Sequence, residues 1–160
     1  MFEFESFSAF GFSGSRSSVP APCAGVASRV PAGAAVFVGC AAGVDRFFRS
    51  QFPGAVVFSP QFSGRGGFAA RSAACVRAVG VVGGLWVSFP SGSCPAGLLP
   101  SSRWVSAGGS GSWGSLALAM GLGVPSLVFC PSGLPSGWGF QSLGAGWGLA
   151  LPSAVQLSLL

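Results

Sequence analysis

The sequence predicts an α/β fold of the Rossmann-like, doubly wound kind: a mostly parallel sheet of about five strands with helices on both faces. Three observations predict it. Short, continuous apolar runs of strand length recur along the chain. Segments with apolar residues at helical spacing separate them, and Gly, Pro and Ser clusters mark most of the boundaries. Uninterrupted apolar strands belong to sheets covered on both faces, where neither side needs a polar alternation.

The elements follow in order. Residues 7–12 read as the first strand, closed by a turn at Gly14, Ser15 and Arg16. Pro20 and Pro22 open a helix that runs to Val30, because proline suits a first helical turn. Residues 34–38 form the second strand, ended by Gly39. Residues 41–51 form a helix with Val44, Phe47 and Phe48 on one side. After the Pro53-Gly54 break, residues 55–58 are the third strand. Residues 61–67 read as a glycine-rich loop, 68–79 as a helix and 85–89 as the fourth strand. A polar loop covers 90–102, a helix 113–121 and a fifth strand 126–129. Residues 131–160 are rich in Gly, Pro, Ser and Trp and read as a C-terminal extension, with room for an edge strand and a cap. The whole chain, residues 1–160, is expected to be one domain with its core at about 8–130, a normal domain length.

Composition narrows the chemistry. Only 7% of residues are charged, against ~25% in an ordinary domain. Ile, Asn, Thr, Tyr, Lys and His are absent. Those six share adenine-containing codons, which points to an adenine-poor coding strand. Without His there is no ordinary general base near neutral pH and no imidazole metal ligand; without Lys there is no Schiff base. The five cysteines contain no Cys-x-x-Cys pair, so neither a metal nor a cofactor is expected. Their odd number and the acidic start MFEFESFSAF point to the cytoplasm rather than secretion. The net charge of +5 comes from eight arginines, all before Trp104. No basic run interleaved with aromatics supports a nucleic-acid groove. Residues 113–130 are nearly long enough to cross a bilayer, but Gly121, Gly123 and Pro125 split them, so a membrane partner is not expected.

In doubly wound sheets the ligand lies beyond the carboxyl ends of the strands. Four polar clusters fall there: Gly14, Ser15 and Arg16; Gly39, Gly43 and Asp45; Arg71; and Gly109, Ser110, Gly111 and Ser112. Glycines let backbone approach a ligand. A helix N-terminus presents free amides and a positive dipole end to an anion. Arginine suits phosphate. Asp45, the only aspartate, fits either a helix start or a sugar hydroxyl.

Taken in order, these clusters resemble the SLOG superfamily, which includes the LOG or lysine-decarboxylase-like phosphoribohydrolases, the DNA-processing protein A domain and YspA-type nucleotide sensors. The resemblance covers roughly residues 8–130. The YspA-like branch is nearest, through Gly14-Ser15-Arg16, Gly39 to Asp45, Arg71-Ser72, Gly111-Ser112 and Gly123-Val124-Pro125. It implies a nucleotide or nucleotide-derived ligand, held by a sensor or carrier, and a homodimer. In the LOG loop Gly-Gly-x-Gly-Thr-x-x-Glu the glutamate is catalytic, and Ser115 stands in its place here. Three readings follow. One is a nucleotide-binding module. Another is an N-glycosidic hydrolase of nucleoside phosphates that uses Asp45, the best carboxylate candidate. The third is a hydrophobic structural or membrane-associated protein without a ligand.

Overall fold

In the computed structural model, which describes residues 2–106, 108 and 110–152, the chain builds a seven-stranded mixed sheet and four α-helices. The elements are β1 (Ala9–Gly14), α1 (Pro22–Arg29), β2 (Ala35–Gly39), α2 (Val44–Gln51), β3 (Val56–Phe58), α3 (Arg65–Val81), β4 (Leu85–Phe89), α4 (Gly111–Gly121), β5 (Ser126–Phe129), β6 (Gln141–Gly144) and β7 (Trp147–Ala150). The strand order is β3-β2-β1-β4-β5-β7-β6. Strands β1 to β5 pair parallel. β7 runs antiparallel to β5, and β6 antiparallel to β7.

The expected α/β architecture is present, but the sheet has seven strands rather than about five, and it is mixed. The added pair is a hairpin in the C-terminal extension. β6 is exposed at every position, so it carries no apolar alternation for a sequence pattern to reveal. β7 covers the edge that β5 would otherwise leave open.

Two apolar layers flank the sheet. Phe10, Phe12, Leu85, Val87, Phe89 and Leu127 pack with Cys23 and Val26 of α1 and with Val44 and Phe48 of α2. Trp86 and Val128 point to the other face and pack with Val76 and Val79 of α3 and Leu116 of α4. Alternation along β4 thus feeds both layers, as the period of a strand requires. Phe12 and Phe48 stack with ring centroids 3.8 Å apart.

Three boundaries differ from the sequence reading. β1 runs on to Gly14, because that residue pairs with Phe89. α2 starts at Val44, after Gly43 turns the chain with φ of +67°. α3 starts at Arg65 and takes in the glycines read as loop. Phe62 folds back there so closely that a Cβ on Gly67 would collide with its carbonyl oxygen. Among the described residues, no helix is long and apolar enough to cross a membrane; the 113–130 run divides between α4 and β5.

Gly11 pairs with Trp86 across β1 and β4. A Cβ there would lie 2.6 Å from Val79 and meet the Trp86 ring. Gly11→Ala is therefore expected to destabilise the protein by about 1–3 kcal/mol through overpacking, read as a lower denaturation midpoint in urea. An unchanged midpoint would contradict this β1–β4 register.

Candidate functional site

β1 is flanked by β2 on one side and β4 on the other, so a gap opens at the carboxyl edge where the strand order reverses. A cavity of about 390 Å³ occupies it. Gly14 at the end of β1 and Ser15 and Arg16 after it form part of its wall, and Gly39 closes β2 beside them. Asp45 comes from α2 and Arg71 from α3. Ser110, Gly111 and Ser112 enter from the start of α4. The structure thus brings nine of the eleven expected residues together. Gly43 stands behind the wall, and Gly109 lies outside the described residues.

An ion pair between Asp45 and Arg71 organises one side. Arg71 Nη1 lies 3.2 Å from Asp45 Oδ2, and the two residues are only 6% and 8% exposed. The same carboxylate oxygen accepts the Ala41 amide at 3.2 Å. The pair crosses directly over Gly39, where a Cβ would collide with Arg71 Nη1 and Asp45 Oδ2. Glycine is required there by space. At Gly43 it is required twice, by the positive φ and by the Ser15 carbonyl that a Cβ would strike. Arg49, one turn after Asp45, donates to the carbonyls of Gly39 and Ala41, each at 2.8 Å. Sequence reasoning missed this clamp, because its acceptors are backbone carbonyls that no side-chain spacing reveals.

Burial pushes the Asp45 carboxyl above the usual carboxylate range. The Arg71 guanidinium beside it, the Ala41 amide and Arg49 pull it back only in part. Cys75 also lines the cavity, and burial raises its thiol to about 12. It is a neutral wall, not a nucleophile.

Ser15 has a structural task. Its amide donates to the Phe89 carbonyl at 3.0 Å. Its hydroxyl oxygen accepts the amides of Ser17 and Ser18, each at 3.2 Å. That turn presents Arg16, whose exposed guanidinium lies 5.0 Å from the centroid of the Phe68 ring. Arg71 approaches the same ring at 5.8 Å.

On the opposite wall Ser110 caps α4. Its hydroxyl accepts the Trp113 amide at 3.4 Å and its carbonyl the Gly114 amide at 3.1 Å. An α-helix gives its first four amides no intrahelical acceptor, and Gly111 and Ser112, its first two residues, line the cavity. Ser115 lies one turn further in, with its hydroxyl donating to the Gly111 carbonyl at 2.7 Å. Ser13, Ser17, Ser72 and Ser91 complete a hydroxyl-rich lining that the sequence reading did not assign to the site. The charged groups at this cavity are two arginines and one aspartate among the described residues, an excess of one positive charge.

No protein-family model, curated protein or solved structure matches the chain.

The raised Asp45 carboxyl fixes a sign. Its folded-state pKa exceeds its unfolded one, so its contribution is fullest at acid pH and is lost as pH rises through the raised value. The difference in melting temperature between the wild type and Asp45→Asn should be most favourable to the wild type below about pH 4 and shrink as pH rises. A pH-independent difference would contradict the burial-dominated assignment.

Proposed function

We propose that this chain is a Rossmann-like, SLOG-type domain that binds a nucleotide or nucleotide-derived ligand, as a sensor or carrier. The observation that carries this reading is Arg71. It lines the cavity, it is buried, and among the described residues its Nε–H, like the indole N–H groups of Trp86 and Trp113, has no hydrogen-bond partner. Buried polar groups are nearly always paired, and an orphan of this kind calls for a missing partner such as an ion. An anion supplies one. It would complete Arg71, neutralise the excess positive charge beside Arg16 and accept the first amides of α4. The ordered motifs that resemble SLOG domains support phosphate as that anion.

The hydrolase alternative has less support. Asp45 Oδ2 is already shared between Arg71 and the Ala41 amide, which makes Asp45 a positioning residue. Ser115, at the place of the LOG glutamate, has a hydroxyl tied to Gly111 and no carboxylate to offer. Binding without turnover is the simpler use of these groups.

Removing Arg71 would leave Asp45 buried and unpaired, at a penalty of about 3–5 kcal/mol, so it is a poor probe of binding. Gly111→Pro is a cleaner one. Gly111 is the first residue of α4, Ser110 before it is extended at φ −88° and ψ 97°, and a Cβ at 111 meets open space. Proline fits such a position and removes one amide donor. Calorimetric titration with a panel of nucleotides should give saturable binding to the wild type with no product released. Gly111→Pro and Arg16→Ala should each weaken it by about tenfold or more while the melting temperature holds. Wild type that binds no nucleotide, or variants that bind equally well, would refute the proposal.

A further inference from the structure

A second cavity, of about 480 Å³, adjoins the first and shares Arg16, Ser72, Ser110 and Gly111 with it. Its chemistry is different. Phe68 and Trp104 supply aromatic surface, and Ala69 adds to the apolar wall. No acid lines it among the described residues. Phe68 is 38% exposed, unlike the buried phenylalanines of β1 and β4. Trp104 is half-buried, with its ring seated on α4 at Gly114, where a Cβ would lie 2.9 Å from ring carbons. Packing against the helix holds that ring in place. Arg16, which lines both cavities, holds its guanidinium 5.0 Å from the centroid of the Phe68 ring in the second.

We infer that the second cavity is a binding site for a planar aromatic ring, a nucleobase, of the same ligand whose phosphate occupies the first. The inference rests on the phosphate reading above and adds a site to it. Every base has a π-face that stacks on aromatic side chains and on arginine, for about 1–3 kcal/mol per base. Phe68, Trp104 and the Arg16 guanidinium line one enclosure. The hydroxyls of Ser72, Ser106 and Ser110 stand at its wall for the polar edge of the ring. A second phosphate fits less well, because Arg16 and Arg65 are both exposed and neither has the buried, orphaned donor that marks the first cavity. Arg16 then serves both halves of the ligand, with charge toward the phosphate and its flat face toward the ring.

Trp104 and Ala69 are among the positions that line the second cavity and not the first. Trp104→Leu removes a stacking face, and Ala69→Leu fills the space. The test is calorimetric titration of the full chain, wild type and each variant, with AMP and with ribose 5-phosphate, beside tryptophan fluorescence. AMP should bind the wild type about tenfold or more tighter than ribose 5-phosphate and quench fluorescence, which ribose 5-phosphate should not. Each variant should lower AMP affinity by about fivefold or more and leave ribose 5-phosphate affinity unchanged. Ala69→Leu keeps the test decisive if Trp104→Leu fails to fold. Ribose 5-phosphate bound as tightly as AMP, or both weakened equally by the variants, overturns the ring site and leaves the phosphate reading intact. Wild type that binds neither compound overturns both.

Discussion

The ion pair between Asp45 and Arg71 is the constraint on which the rest of this site depends. Asp45 belongs to the helix layer on one face of the sheet and Arg71 to the layer on the other. They meet over the end of β2, and only the absence of a side chain at Gly39 lets them do so. Through Ala41 the same carboxylate also ties down the loop that leads into α2. One buried contact thus fixes two helices, a strand end and a loop. A pair taken this far from water gains little net stability. Its return is positional, because it holds the Arg71 guanidinium in the cavity wall with one N–H unpartnered among the described residues.

The rest of the cavity answers that group. The turn after β1 brings a second guanidinium, and Ser15 gives up its amide and hydroxyl to shape that turn rather than to face a ligand. The start of α4 brings amides and a positive dipole end from across the gap. In a chain with few charges, serine hydroxyls fill the remaining polar positions. These groups can grip an anion, and the aromatic annex beside them can take a flat ring.

Much of this was legible in the sequence, and the reason is local. Gly14, Arg16, Gly39, Asp45, Arg71, Ser110, Gly111 and Ser112 each interrupt or follow an apolar run, so pattern alone places them near strand ends and helix starts. What escaped depends on approach through space. Arg49 reads as an ordinary surface arginine until its two carbonyl partners are seen. Ser17, Ser91 and Cys75 reach the cavity only because loops and α3 converge there. The glycines at 66 and 67 read as loop, whereas Gly67 admits a close backbone crossing at the start of a helix. The C-terminal extension was read with room for one edge strand, and the exposed β6, whose Gly and Ser content shows no period, hid that it is a hairpin.

The most direct measurement is a phosphate titration followed by nitrogen-15 NMR, resolving the Arg71 Nε–H together with the backbone amides of Gly111 and Ser112. If an anion completes Arg71 in the cavity, these three signals shift together and saturate along one binding curve, while the exposed Arg77, which lies outside this cavity, stays still. An Arg71 Nε–H that does not respond, or shifts confined to exposed arginines, would contradict the account.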